Sequence, residues 1–87
     1  MSSPGSRLRQ AWDQGIIAVP GVFCPLAAKL AERIGFRAVY LSGAALSASL
    51  GVPDIGLITA SEFADAIRMI TAATSLPLLA DADTGFG

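Results

Sequence analysis

Leu76-Pro77-Leu78-Leu79-Ala80-Asp81-Ala82-Asp83-Thr84-Gly85-Phe86-Gly87 joins a short apolar run to two carboxylates and a glycine-rich turn. The run reads as a strand over 76–80, with Pro77 tolerated near its start. Residues i and i+2 of an extended segment point to the same side, so Asp81 and Asp83 face one cavity while Ala82 faces away. Such a pair suits a hard divalent cation, because Mg²⁺ prefers oxygen ligands and is held by one or two carboxylates plus water and substrate. It equally suits capping of a following helix or bracing of the Thr84-Gly85 turn, and the D-x-D spacing leaves both open. The lack of histidine and the single cysteine argue against an all-protein zinc site in these residues.

Working back from that strand, Thr59-Ala60-Ser61-Glu62 forms a capping box that opens a helix with Phe63, Ala66, Ile67 and Ile70 on one face. Thr74 and Ser75 end it. A loop of small residues over 42–58 precedes it, and before the loop Ala38 to Leu41 reads as a strand without polar alternation, as expected when both faces of a parallel sheet are buried. Leu26, Ala27, Leu30, Ala31 and Ile34 give an earlier helix an apolar face, with Gly35 where a left-handed cap is expected. Ile16 to Val19 reads as the first strand, ended by Pro20-Gly21, and Ser6 to Gln14 as a leading helix with Leu8, Ala11 and Trp12 inward.

The order is a helix and then β-α-β-α-β, an α/β pattern that implies a parallel sheet with right-handed crossovers. In such sheets chemistry collects at the carboxyl ends of the strands. Those ends carry Pro20-Gly21, Ser42-Gly43 and Asp81 with Asp83. Ser42-Gly43 offers a hydroxyl and backbone N–H groups to a carboxylate or phosphate, or else Ser42 caps a helix over 44–50. Tyr40 is read as core, with presentation of its phenol to the pocket as the alternative. Asp54 is either solvated or turned toward a cation or a metal-bound water. Cys24 reads as an apolar filler, since no histidine exists to activate it.

Composition bounds the rest. Of the 87 residues, 53% are hydrophobic and only 15% charged, against about 25% charged in an ordinary soluble domain. A chain this short buries only about 60–65% of its unfolded surface, which would leave large apolar patches. Residues 1–87 are therefore expected to form a single incomplete domain, a piece of a larger fold. The apolar stretch over 16–28 is broken by Pro20, Gly21 and Pro25 and is too short to span a membrane. No signal peptide is recognisable, and the lone cysteine makes a reducing cytoplasm the expected setting. A net charge of −1 with no basic cluster gives no reason to expect nucleic acid.

Taken together, Tyr40-Leu41-Ser42-Gly43, Gly51-Val52-Pro53-Asp54-Ile55-Gly56 and the run from Leu76 to Gly87 resemble the amino-terminal part of the isocitrate lyase and phosphoenolpyruvate mutase superfamily. The resemblance covers nearly all of the chain after Arg7. It implies the leading helix, first three strands and two crossover helices of a (β/α)₈ TIM-type barrel, in an enzyme that is usually a tetramer. It also implies Mg²⁺, or Mn²⁺ in its place, held by Asp81 and Asp83 with Asp54 in the inner shell, directly or through water. By the same resemblance Ser42, Gly43 and Ala44 bind a substrate carboxylate, and Tyr40 borders a small 2-oxo or 2-hydroxy acid.

The implied reaction is cleavage of a 2-hydroxy tricarboxylate to pyruvate and succinate. Oxaloacetate decarboxylation and phosphonopyruvate chemistry are alternatives within the superfamily, and a non-catalytic module docking on other subunits is an alternative outside it. Cys24 stands where relatives more often carry a polar residue such as asparagine. The lyases' acid is a cysteine in a Lys-Cys-Gly-His-type loop that these residues do not include, so the isolated chain is expected to be inactive.

Overall fold

The structure, a computed structural model, describes residues 3–51 and 59–81. Asp54, Ala82, Asp83 and the turn over 84–87 lie outside the described residues, as does the part of the loop expected over 42–58 that runs from 52 to 58. The elements run α1 (Pro4–Asp13), α2 (Pro25–Ile34), β1 (Val39–Leu41), α3 (Gly43–Ser49), α4 (Ala60–Ala73) and β2 (Leu78–Ala80).

Helix α1 begins two residues before the expected start. Pro4, whose fixed φ suits the first helical position, follows Ser3, and the Ser3 side chain accepts a hydrogen bond from the Ser6 N–H. Leu8 and Ala11 are buried as expected, but Trp12 is half-exposed.

The expected strand over 16–19 does not form. Ile16 is fully exposed, and the parallel contact falls later, where the Tyr40 N–H donates to the Pro20 carbonyl (2.9 Å) and the Val22 N–H to the Tyr40 carbonyl (2.7 Å). One bridge, Gly21 to Tyr40, results. Pro20 has no N–H to extend that ladder toward residue 19. Pro20-Gly21 is therefore the pairing segment and not the end of one.

β1 and β2 pair in parallel with Val39 beside Leu78, Tyr40 beside Leu79 and Leu41 beside Ala80. Helices α2 and α4 cover one face of this sheet. Val39 and Leu41 enter that core with Val22, Ala28, Ala31, Leu46, Phe63, Ala66 and Ile70, the last fully buried. The inward face expected of α4 is thus the observed one, and its capping box is present in both directions, Glu62 N–H to Thr59 Oγ1 at 3.1 Å and Thr59 N–H to Glu62 Oε1 at 3.2 Å.

The face of α2 differs from expectation. Its alanines at 28 and 31 are buried, whereas Leu26, Leu30 and Ile34 stand 66%, 51% and 73% exposed. Small side chains bring the helix close to the sheet and to α4, which rotates the i, i+4, i+8 leucine–isoleucine row outward. Gly35 ends α2 at φ +110°, a left-handed conformation that only glycine adopts freely, and its N–H returns to the carbonyls of Ala31 and Glu32.

Glu32, one turn earlier, ties α2 to the end of α4. Its carboxylate accepts from the Thr74 hydroxyl, from the Ser75 N–H at 2.8 Å and from the Ser75 hydroxyl at 3.3 Å. The Thr74 hydroxyl, and then the Ser75 backbone, hold its pKa below the usual glutamate value.

Candidate active site

All three parallel segments deliver their next residues to the same end of the sheet. The bridged segment over 20–22 leads to Phe23, β1 leads to Ser42 and α3, and β2 leads to Asp81, whose N–H donates to the Leu41 carbonyl at 3.0 Å. At the opposite end the Val39 N–H donates to the Pro77 carbonyl, also at 3.0 Å. The ladder therefore fixes Asp81 against the carboxyl end of β1.

Side-chain alternation decides what that end displays. Val39 and Leu41 point to the helices, so Tyr40 points to the face that α2 and α4 leave uncovered. Leu79, its partner in register, is 44% exposed on that face, and Asp81 follows two residues later on the same side. The Tyr40 phenol reaches diagonally across and donates to Asp81 Oδ2 at 3.1 Å. Reading Tyr40 as core is thus corrected: it is half-buried, and its hydroxyl is turned to Asp81.

Ser42 performs the capping role. Its hydroxyl accepts from the Ala45 N–H at 3.0 Å and its carbonyl accepts from the Leu46 N–H at 3.1 Å. The helix over 44–50 that Ser42 was read as capping is α3, over 43–49, inside the stretch otherwise expected as a loop. The cap leaves the hydroxyl proton of Ser42 available as a donor. Gly43 and Ala44 are the first two helical residues, whose N–H groups have no acceptor within the helix. One serine can therefore brace its helix and face an anion together with two backbone donors.

The oxygen donors at the strand ends fit a hard cation in kind. Asp81 is exposed and accepts the Tyr40 phenol on Oδ2, an arrangement that orients the carboxylate. Among the described residues no three acidic, histidine or cysteine side chains gather as a metal cluster. Asp54 and Asp83, the other expected ligands, lie outside those residues. Cys24 precedes α2 with extended backbone, gives no side-chain cap and is a free, partly buried thiol.

Phe23 was not singled out from the sequence. Its half-exposed ring lines a recess of about 390 Å³ with Ala45, Ala48 and Ser49 on the carboxyl-end side. Its position one residue past Val22 was the available signal, hidden because the strand was placed over 16–19.

Comparison with known proteins bears on this arrangement. The family model described as phosphoenolpyruvate phosphomutase matches residues 8–87. A 2-methylisocitrate lyase of Aeropyrum pernix is 50% identical over 88 residues, covering 100% of this chain and 29% of the relative. A phosphonopyruvate hydrolase, solved in complex with oxalate and Mg²⁺, superposes with a TM-score of 0.92 at 40% identity, covering 99% of this chain and 31% of that one. A 2,3-dimethylmalate lyase, of the PEP mutase/isocitrate lyase superfamily, superposes at 0.84 with 37% identity over 100% of this chain and 32% of the other. The chain thus spans about a third of the length of the proteins it matches. Its helices and short parallel sheet correspond to part of a TIM barrel.

Proposed function

Since the chain belongs to the phosphoenolpyruvate phosphomutase family, we propose that it supplies the metal-binding and carboxylate-binding part of a Mg²⁺-dependent carbon–carbon lyase that cleaves 2-methylisocitrate to pyruvate and succinate. The observation that carries this reading is the Tyr40 phenol on the Asp81 carboxylate at the shared carboxyl end of two parallel strands. Identity of 50% to a 2-methylisocitrate lyase supports the substrate.

In this reading Asp81, with Asp83 and Asp54, holds Mg²⁺ directly or through water. When bound, the ion supplies positive charge beside the oxygens on which an enolate develops. Tyr40 holds the Asp81 carboxylate in orientation. The Ser42 hydroxyl and the N–H groups of Gly43 and Ala44 bind a substrate carboxylate, and Phe23 with Ala45 and Ala48 offers an apolar wall to an alkyl substituent. Proton transfer to and from the substrate falls to groups other than these.

The likeness to a phosphonopyruvate hydrolase favours one second reading, in which the same residues serve a 2-oxo phosphonate. Displacement of oxalate separates the two. With Mg²⁺ present, oxalate should bind, and 2-methylisocitrate should displace it at lower concentration than phosphonopyruvate does. The reverse order would support the second reading. Oxalate binding unaffected by Mg²⁺ would refute both.

A further inference from the structure

A cavity of about 280 Å³ opens at the amino ends of the strands, between α1 and the residues that lead into β1 and β2. Its polar lining is Arg7, Gln10 and Arg37, and its apolar wall includes Phe36, Leu76 and Pro77. Among the described residues no aspartate or glutamate lines it. The one ion pair among the described residues, Arg68 with Asp65, involves neither arginine of the cavity. Arg37 is oriented by a neutral partner, donating through Nη1 to Gln14 Oε1 at 3.3 Å, so its charge is positioned without being neutralised.

We propose that this cavity binds a small dianion, a phosphate or a short dicarboxylate. Two guanidinium forks and an amide lining one cavity match the chemistry of oxyanion groups. At about 30 Å³ for each displaced water, the volume accommodates a ligand of several heavy atoms but no large cofactor. Pro77 and Asp81 are four strand positions apart, about 13 Å at the rise of an extended chain, so this site and the Tyr40–Asp81 end are separate.

Titration of the chain by amide NMR, with phosphate and with succinate at ionic strength held constant by NaCl, tests the site. Saturable shifts at Arg7, Gln10, Phe36 and Arg37 are expected. Arg7→Gln and Arg37→Gln should each weaken binding by about tenfold or more, the scale of one charge-assisted contact. Gln10→Glu, which removes neither arginine, should cause a comparable loss, so the result does not hang on one variant folding. Saturation by phosphate alone or by succinate alone supports the site and identifies its ligand. Shifts that NaCl reproduces, saturable binding that survives the arginine variants, or binding abolished by Asp81→Asn would each overturn the proposal.

Discussion

Replacing Tyr40 with phenylalanine removes one hydroxyl and its hydrogen bond to Asp81 Oδ2 while leaving the ring in place. A hydrogen bond to a charged group contributes about 1.5–3 kcal/mol when water is excluded. Here the tyrosine is half-buried and the aspartate exposed, so solvent competes for both groups. The bond should then be worth about 0.5–1 kcal/mol. Single substitutions mix that energy with other changes at each residue, so the clean quantity is the coupling in a double-mutant cycle of Tyr40→Phe and Asp81→Asn. Urea unfolding of the four proteins at pH 7 measures it. A coupling of about 0.5–1 kcal/mol is expected, whereas additivity within about 0.3 kcal/mol would mean that the pair does not interact and that Tyr40 does not orient the carboxylate.

Two further predictions concern the frame that holds this site. Ile70→Ala, at a fully buried position in α4, should cost about 2–5 kcal/mol in chemical unfolding. Ile34→Ala, at an exposed position on α2, should fall within about 0.5 kcal/mol of the parent, and equal costs would refute the observed orientation of α2. The Glu32 latch predicts a pH dependence with a definite sign. Its folded pKa lies below the ordinary value because of Thr74 and then Ser75, so the stabilisation is present above the unfolded carboxyl range, near pH 4.3, and is lost as pH falls through the lower folded value. The stability advantage of the parent over Glu32→Gln should be constant near neutrality and shrink in acid, and an advantage that grew in acid would contradict the latch.

Local signals with unique chemistry were legible in the sequence. The Thr59–Glu62 capping box, Gly35 as a left-handed stop and the inward face of α4 each follow from residues that have few other uses at their spacing. Alternation of strands and helices led to the parallel pairing of β1 and β2 and to the placement of Asp81 past the end of one strand.

The misreadings share a different cause. Ile16 to Val19 has strand-like composition, yet pairing depends on which backbone groups meet a partner, and those are Pro20 and Val22. Leu26, Leu30 and Ile34 are apolar at helical spacing, but close packing by the neighbouring alanines selects the adjacent face. Tyr40 is apolar enough for a core, and only its register with Leu79, two residues before Asp81, directs its phenol to the site.

The central claim is that Asp81 anchors a divalent cation at the carboxyl end of the sheet. Titration of the chain with Mn²⁺, followed by electron paramagnetic resonance of the free ion, measures that anchoring directly in the parent and in Asp81→Asn. The account predicts saturable binding, competed by Mg²⁺, that is weakened at least about tenfold by the substitution, the scale of one lost charged ligand. Binding of equal strength in the two proteins would contradict it.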